Sequence, residues 1–189
     1  MVQLDKIVTK AGDGGKTRLA TGEQVAKNDA RVEAYGAVDE ANCAVGIARL
    51  HTAGDSAIDA ILARLQNDLF DLGADLATPQ SDHLKFEPLR IQERQTARLE
   101  AEIDDLNAHL SPLTSFVLPG GTPAAAHLHL ARATMRRAER AIVALSLTQA
   151  ISPEAIKYAN RASDLLFVAA RWANDKGAGD VLWKPGGTR

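Results

Sequence analysis

Apolar residues recur at helical spacing along most of this chain, interrupted by short polar or glycine- and proline-bearing stretches. From about Asp29, a candidate N-cap, to His51, the positions Ala34, Val38, Ala41, Val45 and Ala48 form one stripe. A second stripe runs through roughly 55–77 on Ile58, Ile61, Leu62, Leu65, Leu69, Leu72 and Leu76. A third, over roughly 88–109, is laced with charge and thinner, on Ile91, Leu99, Ile103 and Leu106. A fourth begins at Thr122-Pro123, an N-cap followed by proline at the first helical position, and a fifth begins at Ser152-Pro153 and ends near Gly177. Residues 1–28 carry glycine, threonine and lysine with no helical period. They read as a loop-like arm with a short extended piece at Lys6–Thr9, and no strand run is convincing. The pattern predicts an all-α fold, a five-helix bundle with an irregular glycine-rich N-terminal arm. It forms a single domain over 1–189, with the arm at 1–28, the bundle at 29–177 and a C-terminal tail at 178–189.

Composition sharpens this picture. Hydrophobic residues make up 46% and aromatics only 4%, so the core must be built from small and aliphatic side chains that let helices approach closely. A net charge of −2 argues against a general nucleic-acid binder, which needs a basic surface. The single cysteine, Cys43, excludes an intramolecular disulfide and any Cys-x-x-Cys motif, and its neighbours Ala41, Ala44 and Val45 predict a buried thiol. No apolar run approaches the roughly 20 residues that cross a membrane, and the start has no signal-peptide pattern, so a cytoplasmic protein is expected.

Within this frame one segment stands out. In Arg132-Ala-Thr-Met-Arg136-Arg137-Ala-Glu139-Arg140, a turn of about 100° per residue puts Arg132, Arg136, Glu139 and Arg140 on one face. Leu130, Thr134, Ala138, Ala141 and Leu145 lie opposite and read as core. Arginines at i, i+4 and i+8 repel, and one glutamate cannot neutralise four of them. The choice is between a solvated face with ion pairs and a seat for phosphate or carboxylate, which guanidinium forks suit.

Thr9-Lys10-Ala11-Gly12-Asp13-Gly14-Gly15-Lys16-Thr17-Arg18 looks like a phosphate strip but fails P-loop spacing, and no helix follows it. Backbone N–H groups there can still wrap a polyphosphate as a nest. Ser115-Phe116-Val117-Leu118-Pro119-Gly120-Gly121 is apolar and then abruptly flexible, which either packs on the core or presents Phe116 to an apolar ligand. Asn160, Asp164, Phe167 and Arg171 share a face of the fifth helix, and Asp164 is a candidate partner for an arginine of the fourth. Asp39, one turn from Asn42, is another. His127 and His129 point about 160° apart on a helix and cannot share an ion, and no metal-ligand set or nucleophile motif appears.

These motifs, together with Val32-Glu-Ala-Tyr-Gly-Ala-Val-Asp-Glu-Ala-Asn42, stand in the order of one family. From about residue 5 to 185 the chain resembles the ATP:cob(I)alamin adenosyltransferases of the propanediol-utilisation type. The resemblance implies a homotrimer with active sites between subunits. It also implies transfer of the 5′-deoxyadenosyl group of ATP to cobalamin, with release of triphosphate and with Mg²⁺ on the nucleotide. By motif position Thr9, Lys10, Ala11, Gly12, Thr17, Arg18, Lys27, Arg136, Arg137, Glu139, Arg140 and Asn160 hold ATP. Family members often carry serine or a hydrophobic residue at position 18, so it is the backbone of Arg18 that the resemblance assigns. Asp39 and Arg132 form a pair associated with the subunit interface and the corrinoid site, and Phe116 occupies the lower face of the corrin ring. Phe116, Asp39, Arg132 and Arg136 are thus the implied catalytic group, with no protein metal site. A flavoprotein reductase and an adenosylcobalamin-dependent enzyme are the macromolecular partners that fit, with no nucleic acid and no membrane. The competing readings are an ATP-gated delivery chaperone for adenosylcobalamin without turnover, and a structural bundle whose arginines bind an acidic partner.

Overall fold

Capping residues and proline set where each helix starts, and the apolar stripes decide which face turns inward. The computed structural model describes residues 7–189. Five helices are present among the described residues: α1 (Ala30–Arg49), α2 (Ser56–Leu76), α3 (Glu93–Asn107), α4 (Pro123–Ser146) and α5 (Pro153–Ala173). Asp29 caps α1 by accepting from the Arg31 N–H, and Asp55 caps α2 by accepting from Ala57 and Ile58. Thr122 accepts from the Ala125 N–H ahead of Pro123. Ser152 makes no side-chain cap, leaving Pro153 to start α5.

Two expectations change. The third helix begins at Glu93 rather than near 88, with Gln92 and Gln95 forming a reciprocal capping pair. Residues 90 and 91 are committed elsewhere. Arg90 donates to the Asp75 carboxylate at 2.7 Å and to the Thr78 carbonyl, and the Ile91 N–H donates to Asp75 Oδ2 at 2.9 Å. Those bonds hold the segment extended across the end of α2.

The arm also contains strands. β1 (Lys16–Arg18) pairs antiparallel with β2 (Gln24–Ala26), Thr17 opposite Val25. Three residues per strand are too few to give a period-2 signal, which is why the sequence reads as loop. The hairpin is docked: Leu19 is buried, and the Ala20 N–H donates to the Ala77 carbonyl just past α2. Of the extended piece expected at Lys6–Thr9, Lys6 lies outside the described residues, and Ile7–Thr9 form no strand.

α1 packs against α2 and α4, and α5 packs against α3 and α4. The contact faces are rich in alanine: Ala34, Ala37, Ala41 and Ala48 on α1, Ala131 and Ala138 on α4, Ala155, Ala159, Ala162 and Ala169 on α5. The stripes expected on α1 and α2 are buried throughout. On α4 the buried line is Leu128, Ala131, Met135, Ala138, Ile142 and Leu145, while Leu130 is 54% exposed and Thr134 is half-buried. The core is therefore rotated from the position diametrically opposite the arginines. Two neighbouring helices, α1 and α5, choose the buried face, and Arg132 and Glu139 end up at its edge. Cys43 is exposed, contrary to the buried thiol expected. It falls outside the 34–38–41–45–48 line that the neighbouring helices cover.

α3 is tied to α2 and α5 through a buried carboxylate. Asp68, 5% exposed, accepts from the Tyr158 hydroxyl at 2.8 Å, from Gln95 at 3.1 Å and from Arg98. Burial beside that carboxylate pushes the Tyr158 phenol far above its ordinary value, so it stays a donor at every accessible pH. Removing one member strands the others in a dry site. Asp68→Ala should cost about 3 kcal/mol of unfolding free energy, and Tyr158→Phe about 1 kcal/mol, in urea titrations followed by circular dichroism. The double variant should cost less than the sum.

Candidate functional site

The arginines of α4 divide by what surrounds them. Arg137 faces α1 and pairs with Glu33 at 3.4 Å and with Glu40. Among the described residues Arg132, Arg136 and Arg140 form no ion pair; Arg140 only donates to the Arg136 carbonyl at 3.1 Å. Arg132 is half-buried with Nε unpartnered, and desolvation together with neighbouring Arg136 lowers its pKa from the usual guanidinium value. A guanidinium keeps its charge even so. Three cations on one face, without a carboxylate among their partners, make a seat for an anion.

α5 completes the rim. Asn160 donates to Glu139 Oε1 at 2.9 Å, and Arg161 donates to Asn160 Oδ1 at 2.6 Å. Asp164 pairs with Arg161 on its own helix at 3.0 Å, not with an arginine of α4. The i,i+3 neighbour is closer than any helix-four arginine and takes it. Among the described residues no three His, Cys, Asp or Glu side chains converge on a point that could hold a metal ion. A cation at this face would therefore be held by the oxygens of a bound polyphosphate, with Glu139 the carboxylate on that face.

Beside Arg132 lies an apolar hollow of about 400 Å³ lined by Leu113, Ser115, Phe116, Val117, Arg132 and Phe167. Phe116 is 76% exposed, so the loop presents its ring rather than burying it. The backbone beneath that ring is paired with the C-terminal tail. Trp183 N–H donates to the Phe116 carbonyl at 2.8 Å, Leu118 N–H to the Val181 carbonyl at 2.7 Å, and Ser115 Oγ to the Trp183 carbonyl at 2.7 Å. The Trp183 ring stands 5.9 Å from that of Phe116. Sequence reasoning gave this tail no role; the available signal was a lone tryptophan in a glycine-rich run.

Behind Phe167 is His129, buried, with its ring 6.2 Å away and both nitrogens unpartnered. Desolvation, and then Arg132, push its pKa below the ordinary histidine value, which favours the neutral imidazole behind the Phe167 ring. His127 turns the other way and stacks on His51 at 5.0 Å. The two histidines diverge as helix geometry requires.

The remaining residues singled out by sequence lie on the α1–α2 side. Thr9, Lys10 and Ala11 are exposed, Lys27 packs against Gly12, and the Lys27 N–H donates to the Gly15 carbonyl at 2.9 Å. Thr17 and Arg18 lie on β1. Asp39 is exposed and lines a second apolar hollow of about 430 Å³ with Tyr35, Asn42, Leu69 and Phe70. Among the described residues no hydrogen bond or ion pair joins the arm or Asp39 to Arg132, Arg136, Arg140 or Asn160. Within one chain the arm and Asp39 lie on one side of the bundle and the cationic face with Phe116 on another.

Comparison with known proteins fits this geometry. A family model described as cobalamin adenosyltransferase matches residues 7–173. The corrinoid adenosyltransferase of Mycobacterium tuberculosis is 49% identical, across 100% of this chain and 97% of the relative. That of Bacillus subtilis is 40% identical, across 95% of this chain and 92% of the relative. Among solved structures, a variant PduO-type ATP:corrinoid adenosyltransferase from Lactobacillus reuteri, complexed with cobalamin and ATP, superposes with a TM-score of 0.88 at 40% identity. The match covers 95% of this chain and 99% of that one.

An exposed ring contributes little to folding. Phe116→Ala should shift unfolding free energy by no more than about 0.5 kcal/mol, as a surface substitution does. A loss several times larger in a thermal melt would mean that the ring packs as core.

Proposed function

The chain belongs to the cobalamin adenosyltransferase family, and we propose that it transfers the 5′-deoxyadenosyl group of ATP to cob(I)alamin, giving adenosylcobalamin and triphosphate. One observation carries the reading. Among the described residues three guanidiniums of one α4 face have no carboxylate partner, and the first of them, Arg132, lines an apolar hollow that displays an exposed phenylalanine. A polyphosphate suits the first part and a corrin ring the second.

In this reaction the protein supplies no nucleophile. Cobalt(I) attacks C5′ of ATP with its electron pair, the C5′–O bond breaks, and that pair leaves on the triphosphate. Arg136 and Arg140, with the N–H groups and cations of Thr9, Lys10, Ala11, Gly12, Thr17, Arg18 and Lys27, hold the triphosphate and stabilise its developing charge. Mg²⁺ bound to the nucleotide would add to that charge stabilisation. Asn160 and Glu139, already bonded to each other, orient the nucleoside end. Arg137 begins paired to Glu33 and Glu40, so its part in ATP binding requires it to release them or act as their anchor. Phe116, facing the lower side of cobalt, excludes water and nitrogen bases. Losing that ligand makes reduction to cobalt(I) easier.

The split site supports an assembly in which the arm and Asp39 of one copy face Arg132, Arg136 and Asn160 of the next. A trimer closes such a head-to-tail arrangement. Arm, bundle and tail act as one adenosyltransferase unit. Electron supply by a flavoprotein reductase, delivery to an adenosylcobalamin-dependent enzyme and a cytoplasmic location go with this chemistry. No helix among the described residues is long and apolar enough to cross a membrane.

Incubated anaerobically with MgATP, cobalamin and a chemical reductant, the purified protein should yield adenosylcobalamin by absorbance and triphosphate in equal amount. Release of ADP and phosphate instead would mark an ATPase. Binding of adenosylcobalamin without any triphosphate would favour a delivery chaperone.

Light scattering should give about 60 kDa, three times the 20.2 kDa chain. Asp39→Asn should weaken corrinoid use by tenfold or so while leaving ATP affinity within about twofold, as loss of a charge pair across an interface does. A 20.2 kDa particle at micromolar concentration would remove the shared site.

A further inference from the structure

The segment that displays Phe116 is fastened at both ends by Arg171 and Asn174, buried at the C-terminal end of α5, and by Asp180 of the tail, whose side chain is 3% exposed. Arg171, 4% exposed, donates Nε to Asp180 Oδ2 at 2.7 Å and Nη2 to the Ser111 carbonyl at 2.6 Å. Asn174, 1% exposed, accepts the Thr122 N–H at 3.0 Å and donates Nδ2 to the Gly120 carbonyl at 3.2 Å and to Asp180 Oδ1 at 3.3 Å. Ser111 stands before Phe116 in the chain; Gly120 and Thr122 stand after it. The same Asp180 begins the tail whose next residues pair with the middle of the loop, Val181 with Leu118 and Trp183 with Phe116.

Two glycines show how closely these parts fit. Gly121 has φ +100, and a Cβ there would lie 2.1 Å from Asn174 Oδ1; Gly177 has φ +87, and a Cβ would lie 2.7 Å from Arg171 Nη2. Side chains are excluded so that the amide and guanidinium can reach backbone carbonyls on the far segment.

The Phe116 ring is itself exposed, so core packing does not set its position. Its height over the Arg132–Phe167 hollow depends on the backbone beneath it, and that backbone hangs from Arg171, Asp180 and Asn174. Apolar residues would close a bundle end as well, but a hydrogen-bonded ion pair fixes direction as well as distance. We propose that Arg171, Asp180 and Asn174 are positioning residues that set where Phe116 stands against the lower face of cobalt. The proposal rests on the corrinoid reading of that hollow. None of the three lines the hollow, so they act through the Phe116 loop and the tail that carries Trp183.

The test uses the full chain with Asp180→Asn, Arg171→Gln and the milder Arg171→Lys. Two readouts separate positioning from stability. Acrylamide quenching of Trp183, in a Trp172→Phe background, reports the tail without any ligand. The fraction of four-coordinate cob(II)alamin formed with MgATP reports Phe116. Asp180→Asn and Arg171→Gln should raise Trp183 quenching about twofold and lower the four-coordinate fraction about tenfold, with ATP affinity within about twofold. Arg171→Lys, which keeps the pair to Asp180, should recover part of both. A lower melting temperature with unchanged quenching and an unchanged four-coordinate fraction would overturn the proposal and leave the trio as a structural clasp. If quenching rises but even the parent protein forms no four-coordinate cob(II)alamin, the fastening stands and the corrinoid reading falls.

Discussion

Close packing of alanine-lined helix faces is the constraint on which the rest of this molecule depends. α4 carries arginines at three successive i,i+4 positions without a carboxylate partner, which costs a few tenths of a kcal/mol per pair and argues against the helix. The same helix buries Leu128, Met135, Ile142 and Leu145 completely, each contributing about 1.5–3 kcal/mol. Burial outweighs repulsion severalfold, so α4 holds a charged face rigidly in place before any anion arrives. Ala131 and Ala138 are fully buried on a helix packed against α1 and α5, and Arg132 and Glu139 stand half-buried at the edge of that line.

Polar groups inside the bundle serve a different purpose from those at its edge. Asp68, Asp75 and Arg31 are each satisfied by several partners and join elements distant in sequence. Arg31 bonds the Leu76 and Ala150 carbonyls and the Gln149 side chain, linking the start of α1 to the end of α2 and the α4–α5 connection. Four of the six unpartnered buried atoms among the described residues lie at two places: Arg132 Nε and both nitrogens of His129 beside or behind the Phe116–Phe167 hollow, and Asn42 Oδ1 by Asp39. The other two, Arg98 Nε and Glu102 Oε2, belong to the ion-pair cluster that joins α2 and α3.

Those two places cannot meet within one chain. α1 lies between them, packed on α2 at one side and on α4 at the other. The arm is pinned to the end of α2 and Asp39 faces the α1–α2 hollow, whereas the cationic face and Phe116 belong to α4, α5 and the tail. Their separation within one chain is the observation behind the proposed assembly, in which a second copy brings the arm to the cationic face.

The helices, the charged face of α4 and the exposed Phe116 loop were legible in sequence because their signals are local. Caps at Asp29 and Thr122, proline at 123 and 153, and period-3.6 stripes on α1 and α2 depend on residues within a few turns. The charged face of α4 follows from helical geometry alone, and Phe116 was marked by an apolar loop running into Pro119-Gly120-Gly121. What stayed hidden depends on neighbours distant in sequence. The buried line of α4 is set by α1 and α5, so Leu130 and Thr134 fell outside the core and Arg137 turned to Glu33 and Glu40. The start of α3 is set by Asp75, fifteen residues before Arg90. The strands of the arm owe their place to docking on Ala77 rather than to propensity. The tail owes its role to Arg171 and Asn174, which bond residues 60 and 52 positions earlier. Local periodicity determines which segments are helical and which face is charged. Only tertiary packing decides which of the remaining faces is buried and which distant backbone a side chain reaches.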